Sequence, residues 1–279
     1  MKKITTETKK SFNDYLMNEE KAAATVKKYL HDVGAFQIWL GKQKLCKKTV
    51  LAYKSYLCEH YAPASVNAAL SSLNSFFNFM EWYDLKVKNL KIQKQIFAQA
   101  DKELTKAEYD RLLEAAKQKK NERLYLLMQT ICSTGIRVSE VRYVTVEAVS
   151  SGIAEINCKG KRRQVFLPKQ LCQILKQYIK KQKIKSGAVF VTKNGNPLDR
   201  SNIWSVMKSI SKVANVSEKK TFPHNLRHLF ARTYYDLQKD VVRLADVLGQ
   251  INVNTTRIYT MESGEVHRKQ LQCLGLLQD

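Results

Sequence analysis

The chain has 279 residues and a formal net charge of +23, from 48 Lys and Arg residues against 25 Asp and Glu residues. This length suggests two domains of ordinary size. The hydrophobic content of 44% is enough to form buried cores, which excludes a disordered basic chain. So large a basic excess favours a polyanionic partner, either nucleic acid or an anionic membrane surface, over a basic surface without a partner.

The cysteines and the N-terminus narrow these choices. Six cysteines are scattered without a Cys-x-x-Cys pair or a Cys/His cluster, so neither a zinc site nor a disulfide framework is indicated. The start of the chain, MKKITTETKKSF, lacks the apolar run of a signal peptide, and no segment approaches transmembrane length. We therefore expect a cytoplasmic protein with no metal, no cofactor and no membrane partner, which leaves nucleic acid as the partner.

The two parts of the chain differ in the kind of positive charge they carry. Residues 1–100 contain 16 Lys and no Arg, whereas every Arg lies in residues 101–279. Lysine is a mobile point charge that can follow a phosphate backbone, whereas arginine is a planar fork that holds one phosphate in a fixed geometry. This suggests that the first part holds DNA and that the second grips a single phosphate.

Residues 1–92 are predicted to form a helical domain. Apolar residues recur at spacings of three and four from Val26 to Leu40, and shorter helices are predicted over residues 49–60 and 64–82. We expect the aromatic residues of these helices to form a core and not a platform for stacked bases.

A linker over residues 93–103 is predicted to separate this domain from a second one, residues 104–279, because helical periodicity is lost there. Thr105 followed by Glu108 has the form of a capping box and predicts a helix start. Residues 152–158 and 164–168 have the alternation of two strands around a basic turn, 159–163. The predicted fold class is therefore mostly α with a small antiparallel β-sheet.

Two segments of the second domain present arginines at predicted helix starts. In TGIRVSE, residues 134–140, Arg137 is expected in the first turn of a helix, where the macrodipole and free amides favour an anion. In FPHNLRH, residues 222–228, His224 and Arg227 share one face, with His228 close to it. The alternatives are a surface Arg137 paired with Glu140, and a capping histidine beside a surface arginine.

Two further segments carry a lysine and a tyrosine. Lys159 or Lys161, at the tip of the hairpin, could protonate a leaving oxygen or could simply contact DNA or solvent. In LGQINVNTTRIYT, residues 248–260, Gly249 is expected to end a helix, and Asn254 or Thr255 to cap the short helix that carries Tyr259. A lone tyrosine is usually a packing residue, so Tyr259 gains significance only from the other three segments.

These segments resemble the tyrosine recombinase, or phage integrase, family when taken in chain order: TGIRVSE, the basic hairpin, HNLRH and LGQINVNTTRIYT. The resemblance covers the whole architecture: an N-terminal helical core-binding domain and a C-terminal mixed α/β catalytic domain. It implies a site-specific DNA recombinase that cleaves and rejoins strands through a 3′-phosphotyrosyl intermediate, without metal or ATP, as an integrase, an excisionase or a resolvase of a mobile element. A relaxing topoisomerase of similar chemistry is disfavoured.

The resemblance also implies residue roles. Arg137 and Arg227 would bind the non-bridging oxygens of the scissile phosphate, Tyr259 would be the nucleophile, and Lys159 the general acid. His224 would take part in proton transfer, and Glu140 and His228 would support the site.

The sequence departs from the family pattern at Gln250, where the family usually has His or Trp. Glutamine can donate a hydrogen bond to a phosphate oxygen but cannot carry a proton. This departure is the basis of an alternative, a catalytically impaired DNA-binding relative that regulates recombination.

The family also implies an assembly: a tetramer on two sites in double-stranded DNA, with accessory DNA-bending or directionality proteins. The apolar tail, residues 263–279, is then expected to pack on a neighbouring subunit, although packing on its own domain is nearly as plausible from the sequence.

Overall fold

The computed structural model describes residues 2–92, 101–158, 161–250, 252–261, 268–269 and 271–274. The chain divides into two compact units, residues 1–94 and 95–279, and each has its own hydrophobic core. In the part of the chain that is described, no helix is long and apolar enough to cross a membrane.

The first unit is a bundle of helices, as predicted. Its elements are α1 (Thr6–Asn18), α2 (Ala23–Leu40), α3 (Lys47–His60), α4 (Pro63–Phe79) and a 3-10 turn (Tyr83–Leu85). Helix α4 is three residues shorter at its C-terminus than predicted, because the chain reverses at Glu81, which adopts a left-handed φ of 57°. The aromatic residues are core residues, as expected, and the fully buried ones are Phe12, Phe36, Phe76 and Phe77.

The second unit is mostly helical with one two-stranded sheet, which confirms the predicted fold class. Its elements in chain order are α5 (Lys106–Gln118), α6 (Glu122–Thr134), a 3-10 helix (Val138–Tyr143), α7 (Val146–Ser151), β1 (Ile153–Cys158), β2 (Lys161–Phe166), α8 (Lys169–Lys181), α9 (Arg200–Lys208), α10 (Pro223–Gln238), α11 (Val241–Leu248), α12 (Val253–Thr256) and a final 3-10 turn (Arg257–Tyr259).

The start of the second unit is fixed by the predicted capping box. The Glu108 backbone N–H donates to Thr105 Oγ1 at 3.2 Å, and the Thr105 N–H donates to Glu108 Oε2 at 2.8 Å. Just before it, Glu103 forms an ion pair with Arg232. The end of the predicted linker is therefore attached to the second unit, whereas residues 93–100 lie outside the described residues.

The predicted hairpin is present, but its turn is shorter than expected. Strands β1 and β2 pair antiparallel from Ile153 opposite Phe166 to Cys158 opposite Lys161. Only two residues separate the strands, so the prediction that 159–163 is a turn is wrong for residues 161–163. The strand continues through Arg163 because that side chain faces inward and is neutralised by an acidic partner.

Candidate active site around the end of helix α11

Arg137 lies directly after the turn that ends α6. Gly135 ends that helix with a left-handed φ of 63°. Arg137 caps the 3-10 helix Val138–Tyr143, so the prediction that it lies in the first turn of an α-helix is wrong. The reason is that the Glu140 side chain folds back onto Arg137. The Arg137 backbone N–H donates to Glu140 Oε2 at 3.0 Å and its Nη1 donates to Oε1 at 2.9 Å. The alternative, an Arg137 paired with Glu140, is thus present in the structure. Both residues have further partners, which are described below.

Arg227 lies in the first turns of α10, which begins at Pro223 as predicted. Arg227 is only 3% exposed, so the alternative hypothesis that it is a surface arginine is wrong. Its Nη1 donates to the carbonyl of Gly135, and its Nη2 donates to the carbonyl of Leu248 at 2.9 Å. Arg227 therefore joins the end of α6 to the end of α11.

Three arginines meet at the C-terminus of α11. Val247, Leu248 and Gly249 are consecutive, and their carbonyls accept from Arg163 at 3.2 Å, Arg227 at 2.9 Å and Arg137 at 3.1 Å, respectively. The last carbonyls of a helix have no partner within the helix, and they form its negative end. The end of α11 therefore binds three cationic side chains, which come from three separate elements of the second unit.

Arg163 is the site residue that sequence reasoning missed. Its side chain is 16% exposed, and Nη2 donates to Glu140 Oε2 at 2.5 Å. A signal was available in the sequence, because Arg163 continues the inward period-two pattern of Val165 and Leu167, both buried. The neighbouring basic residues of the segment favour a turn and so conceal this pattern.

The segment that carries Tyr259 follows immediately. Gly249 ends α11 with a left-handed φ of 60°, as predicted. The cap of α12 is Asn252, whose side chain accepts from the Asn254 N–H at 2.9 Å, so the prediction of Asn254 or Thr255 as the cap is wrong. An Asn side chain reaches the N–H two residues later and starts the helix earlier. Tyr259 lies in the 3-10 turn after α12.

The Tyr259 side chain is buried beside α10 and α11. It is 2% exposed and packs in a cluster with Ala231, Leu244 and Leu248. The His228 ring contacts it edge-on, with 4.6 Å between ring centroids and 68° between ring planes. The interpretation of Tyr259 as a packing residue is therefore correct for its ring, and its hydroxyl acts to raise the pKa of Arg227.

Gln250 connects the end of α11 to the segment before Tyr259. Its Oε1 accepts from the Thr255 hydroxyl at 2.6 Å and from the Thr256 hydroxyl at 2.7 Å, and its backbone N–H donates to the Ala245 carbonyl. These bonds use the carboxamide oxygen, so the NH2 group keeps its capacity to donate.

Burial and the neighbouring arginines lower the pKa of two basic side chains of the site. Burial lowers the pKa of Arg227 to about 10, and the charge of Arg137 acts in the same direction, whereas the Tyr259 hydroxyl partly opposes it. Partial burial of the ring, followed by the charge of Arg227, lowers the pKa of His224, although the residue as a whole is exposed. In both groups burial is the larger cause and a neighbouring arginine acts in the same direction, so the pocket disfavours the charged form of each.

Glu140 is the acidic member of the cluster. Burial by itself raises the pKa of its carboxyl, but hydrogen bonds from Arg163 and from Arg137 outweigh burial, and the resulting pKa is lowered. The carboxylate therefore stays ionised at neutral pH and offsets one of the three guanidinium charges.

The structure brings most of the predicted site residues to one region of the second unit, linked through α10 and the end of α11: Arg137, Glu140, His224, Arg227, His228, Gln250 and Tyr259. Lys159 lies outside the described residues. Lys161 forms the first pair of strand β2, and its side chain is outside the description.

Comparison with known proteins identifies the family. The model described as "Phage integrase family" matches residues 102–265, and the model "Phage integrase, N-terminal SAM-like domain" matches residues 10–83. The chain belongs to the phage integrase family. A relative described as tyrosine recombinase XerA, from Pyrococcus furiosus, is 25% identical over 100% of this chain and 97% of its own length.

Solved structures share the phage integrase fold. A lambda integrase (75–356) dimer bound to a core site has a TM-score of 0.75 at 16% identity, covering 93% of this chain and 96% of that one. XerH bound to its difH substrate has a TM-score of 0.71 at 18% identity, covering 97% and 85%.

As a member of this family, the chain is a site-specific tyrosine recombinase, an enzyme that cleaves and rejoins DNA strands. The alternative of an impaired DNA-binding relative receives no support from the comparisons.

Proposed function

We propose that this recombinase uses Tyr259 to attack the phosphorus of one phosphodiester in double-stranded DNA. The phenolic oxygen gives up its proton and bonds to phosphorus, the bond from phosphorus to the 5′ oxygen breaks, and that oxygen gains a proton. The products are a 3′-phosphotyrosyl link and a 5′-hydroxyl. Because one phosphodiester replaces another, attack by a second 5′-hydroxyl reverses the step and rejoins the strand without ATP.

Arg137 and Arg227 are the proposed ligands of the non-bridging phosphate oxygens. A guanidinium has five N–H donors, and the side-chain hydrogen bonds described above account for two in each arginine. The remaining donors can bind a phosphate while the carbonyls at the end of α11 keep both groups in place. Two fixed guanidinium groups stabilise the charge that develops on the phosphate oxygens.

Other residues are proposed to handle protons and to support the site. Lys159, or Lys161 as the alternative, protonates the leaving 5′ oxygen. His224 is neutral at pH 7, since its pKa is lowered, and can accept a proton from the attacking hydroxyl. Gln250 donates an N–H of its carboxamide to a phosphate oxygen.

We further propose that the enzyme acts as a tetramer on two DNA sites. Residues 270–277, which are proposed to pack on a neighbouring subunit, lie outside the described residues apart from 271–274. Accessory DNA-bending or directionality proteins would then set the outcome of the reaction. We propose the cytoplasm, at the nucleoid, as the place of action, because the substrate is DNA. Crystal structures of lambda integrase and of XerH with DNA support the DNA partner at the level of the fold.

The observation that carries the proposal is that Arg137 and Arg227 bind consecutive carbonyls, those of Gly249 and Leu248, while Tyr259 packs in the cluster that contains Leu248. Its test begins with sheared genomic DNA of the source organism, because the target sequence is unknown. The reaction is stopped with detergent, and the DNA that stays attached to protein is sequenced. Nicked duplexes built on the recovered sequence then trap the adduct, since the short 5′-hydroxyl fragment diffuses away.

The expected result is a covalent adduct with the unaltered protein and none with Tyr259→Phe. The matched control is Tyr234→Phe, a tyrosine that packs on the same cluster, which keeps the adduct. An adduct that persists in Tyr259→Phe, or sequence-specific binding without any adduct, would refute the proposal.

A further inference from the structure

Arg163 occupies a position that distinguishes it from the other basic residues of the hairpin. In β2 the residues alternate, so that Arg163 faces inward with Val165, whereas the neighbouring Arg162 is exposed. An arginine on the inner face of a strand needs a compensating partner, because an unpaired buried charge is strongly unfavourable.

The Arg163 guanidinium has two partners on two different elements. Nη2 donates to Glu140 at 2.5 Å, and Nη1 donates to the Val247 carbonyl in the last turn of α11 at 3.2 Å. Glu140 in turn binds the backbone and side chain of Arg137. One side chain therefore connects the hairpin, a phosphate-binding arginine and the helix that precedes the nucleophile.

Gly249 leaves the space that this arrangement requires. A Cβ atom at Gly249 would lie 2.5 Å from Arg163 Cδ and 3.1 Å from its Nη1. The contact is with the middle of the side chain, and the end of the side chain is held at Glu140 and Val247, so Arg163 cannot move aside without losing a partner.

We propose that Arg163 is a positioning residue, which fixes the β1–β2 hairpin against the end of α11 and holds Glu140 on Arg137. The proposal rests on the proposed function, in which the hairpin carries the general acid; Lys159 is four residues before Arg163 in the chain. Arg163 thus acts through its neighbours and does not itself contact DNA. Its loss is expected to impair proton delivery to the 5′ oxygen more than any other step.

The test compares two leaving groups in the same nicked duplex. With the natural phosphodiester, the bond from phosphorus to the 5′ oxygen breaks and that oxygen must gain a proton. With a bridging 5′ sulfur, the bond from phosphorus to sulfur breaks and the thiolate leaves without a proton, because a thiol is far more acidic than an alcohol.

We expect Arg163→Met to slow cleavage of the oxygen substrate about 100-fold, within the usual contribution of general acid catalysis, and to change cleavage of the sulfur substrate only about threefold. Arg163→Lys keeps the charge that pairs with Glu140 and is expected to recover about tenfold of the lost rate on the oxygen substrate. The matched control is Arg162→Met, the exposed neighbour, which is expected to affect both substrates equally.

Equal losses on both substrates in Arg163→Met would overturn the proposal, since they indicate only a general loss of structure. A loss that disappears at saturating protein would also overturn it, because it indicates a direct contact with DNA. If the unaltered protein forms no adduct with either substrate, the proposed function fails.

Hydrogen exchange tests the positioning role of Arg163 independently of activity. In Arg163→Met the backbone amides of β1 and β2 are expected to exchange faster than in Arg162→Met. Equal exchange in the two variants would contradict the anchoring role even in a chain without measurable cleavage.

Discussion

The last turn of α11 explains why arginines are placed where they are. Helix ends leave carbonyls unpaired, and cations near a helix C-terminus are stabilised by about 0.3–1 kcal/mol each. Arg137, Arg163 and Arg227 each take one of three consecutive carbonyls. A guanidinium can bind a carbonyl and still present further donors, which a lysine does with less geometric control. The same bonds that complete the helix therefore orient the arginines proposed to bind phosphate.

Gly249 provides a direct test of this packing. Gly249 and Gly152 each follow a helix and adopt a left-handed backbone conformation, with φ of 60° and 78°. Substitution of either by Ala adds a Cβ there, at a backbone cost of about 1 kcal/mol each. Only Gly249 faces Arg163, whereas no atom lies within 4 Å of a Cβ at Gly152. We expect Gly249→Ala to lower the free energy of unfolding by about 2 kcal/mol more than Gly152→Ala, as overpacking does. Urea unfolding measures both variants, and equal losses would contradict the packing described.

His228 is expected to make the second unit sensitive to acid. Burial, followed by the charges of His224 and Arg232, lowers its pKa to about 4. The folded state thus holds this ring neutral, while the unfolded chain takes up a proton near pH 6.5. The stability contributed by the neutral ring is present above pH 6.5 and is lost as the pH falls towards 4.

After allowance for partial exposure, the expected loss is about 2 kcal/mol across this interval. It can be measured by hydrogen exchange of the α10 amides at a series of pH values. His228→Gln should flatten the profile in this range, and His31→Gln, on an exposed position of the first unit, should not. A profile that is unchanged in His228→Gln would show that the ring is not the titrating group.

Site residues can be predicted from the sequence only where a local sequence pattern marks them. Arg137, Arg227 and Tyr259 are predictable from the sequence because each lies near a glycine or proline that marks a helix boundary, or in a segment that resembles a known family. Arg163 was missed because its role depends on the register of β2 and on Glu140, 23 residues away in the chain. A tertiary ion pair of this kind leaves no local signature.

In the first unit, α4 holds the following extended segment through two asparagines. Asn74 Nδ2 donates to the Val87 carbonyl at 2.8 Å, and its Oδ1 accepts from the Val87 N–H at 3.0 Å. Asn67, two turns earlier, makes the same pair of bonds with Leu90 at 2.9 and 2.7 Å. The side chains thus satisfy backbone groups that have no strand partner there.

Asn74→Ala is expected to lower the free energy of unfolding of the first unit by about 2 kcal/mol, because the buried Val87 backbone loses both partners. Asn78→Ala, on an exposed position of the same helix, is expected to change it by less than about 0.5 kcal/mol. Fluorescence of Trp39 and Trp82 during urea unfolding reports on this unit when all the proteins compared carry Trp204→Phe, because Trp204 lies in the second unit. Similar losses in the two variants would show that the paired bonds contribute nothing specific.

Elements were predictable where a local signal decides them. The Thr105 capping box, Pro223 and Gly249 each marked a helix boundary correctly, since caps are short-range interactions. The start of α12 was predicted wrongly because three polar residues, Asn252, Asn254 and Thr255, could all serve as its cap. Which of them does so depends on the path of the chain after Gly249, and that path is fixed by tertiary contacts such as those of Gln250.

For the molecule as a whole, composition indicates that the two units carry different kinds of positive charge. The first unit carries lysine as its only cationic type apart from histidine, and the arginines lie in residues 101–279, where the structure places three of them around one helix end. Charge alone indicates a polyanionic partner, whereas the proposed chemistry depends on the arrangement of a few side chains around Tyr259.

The most direct test of the account is mass spectrometry of the covalent protein–DNA adduct after digestion with protease and nuclease. We expect one modified peptide, in which the phosphate of a 3′ nucleotide is bonded to the phenolic oxygen of Tyr259. A nucleotide attached to any other residue, or attached through a 5′ phosphate, would contradict the account.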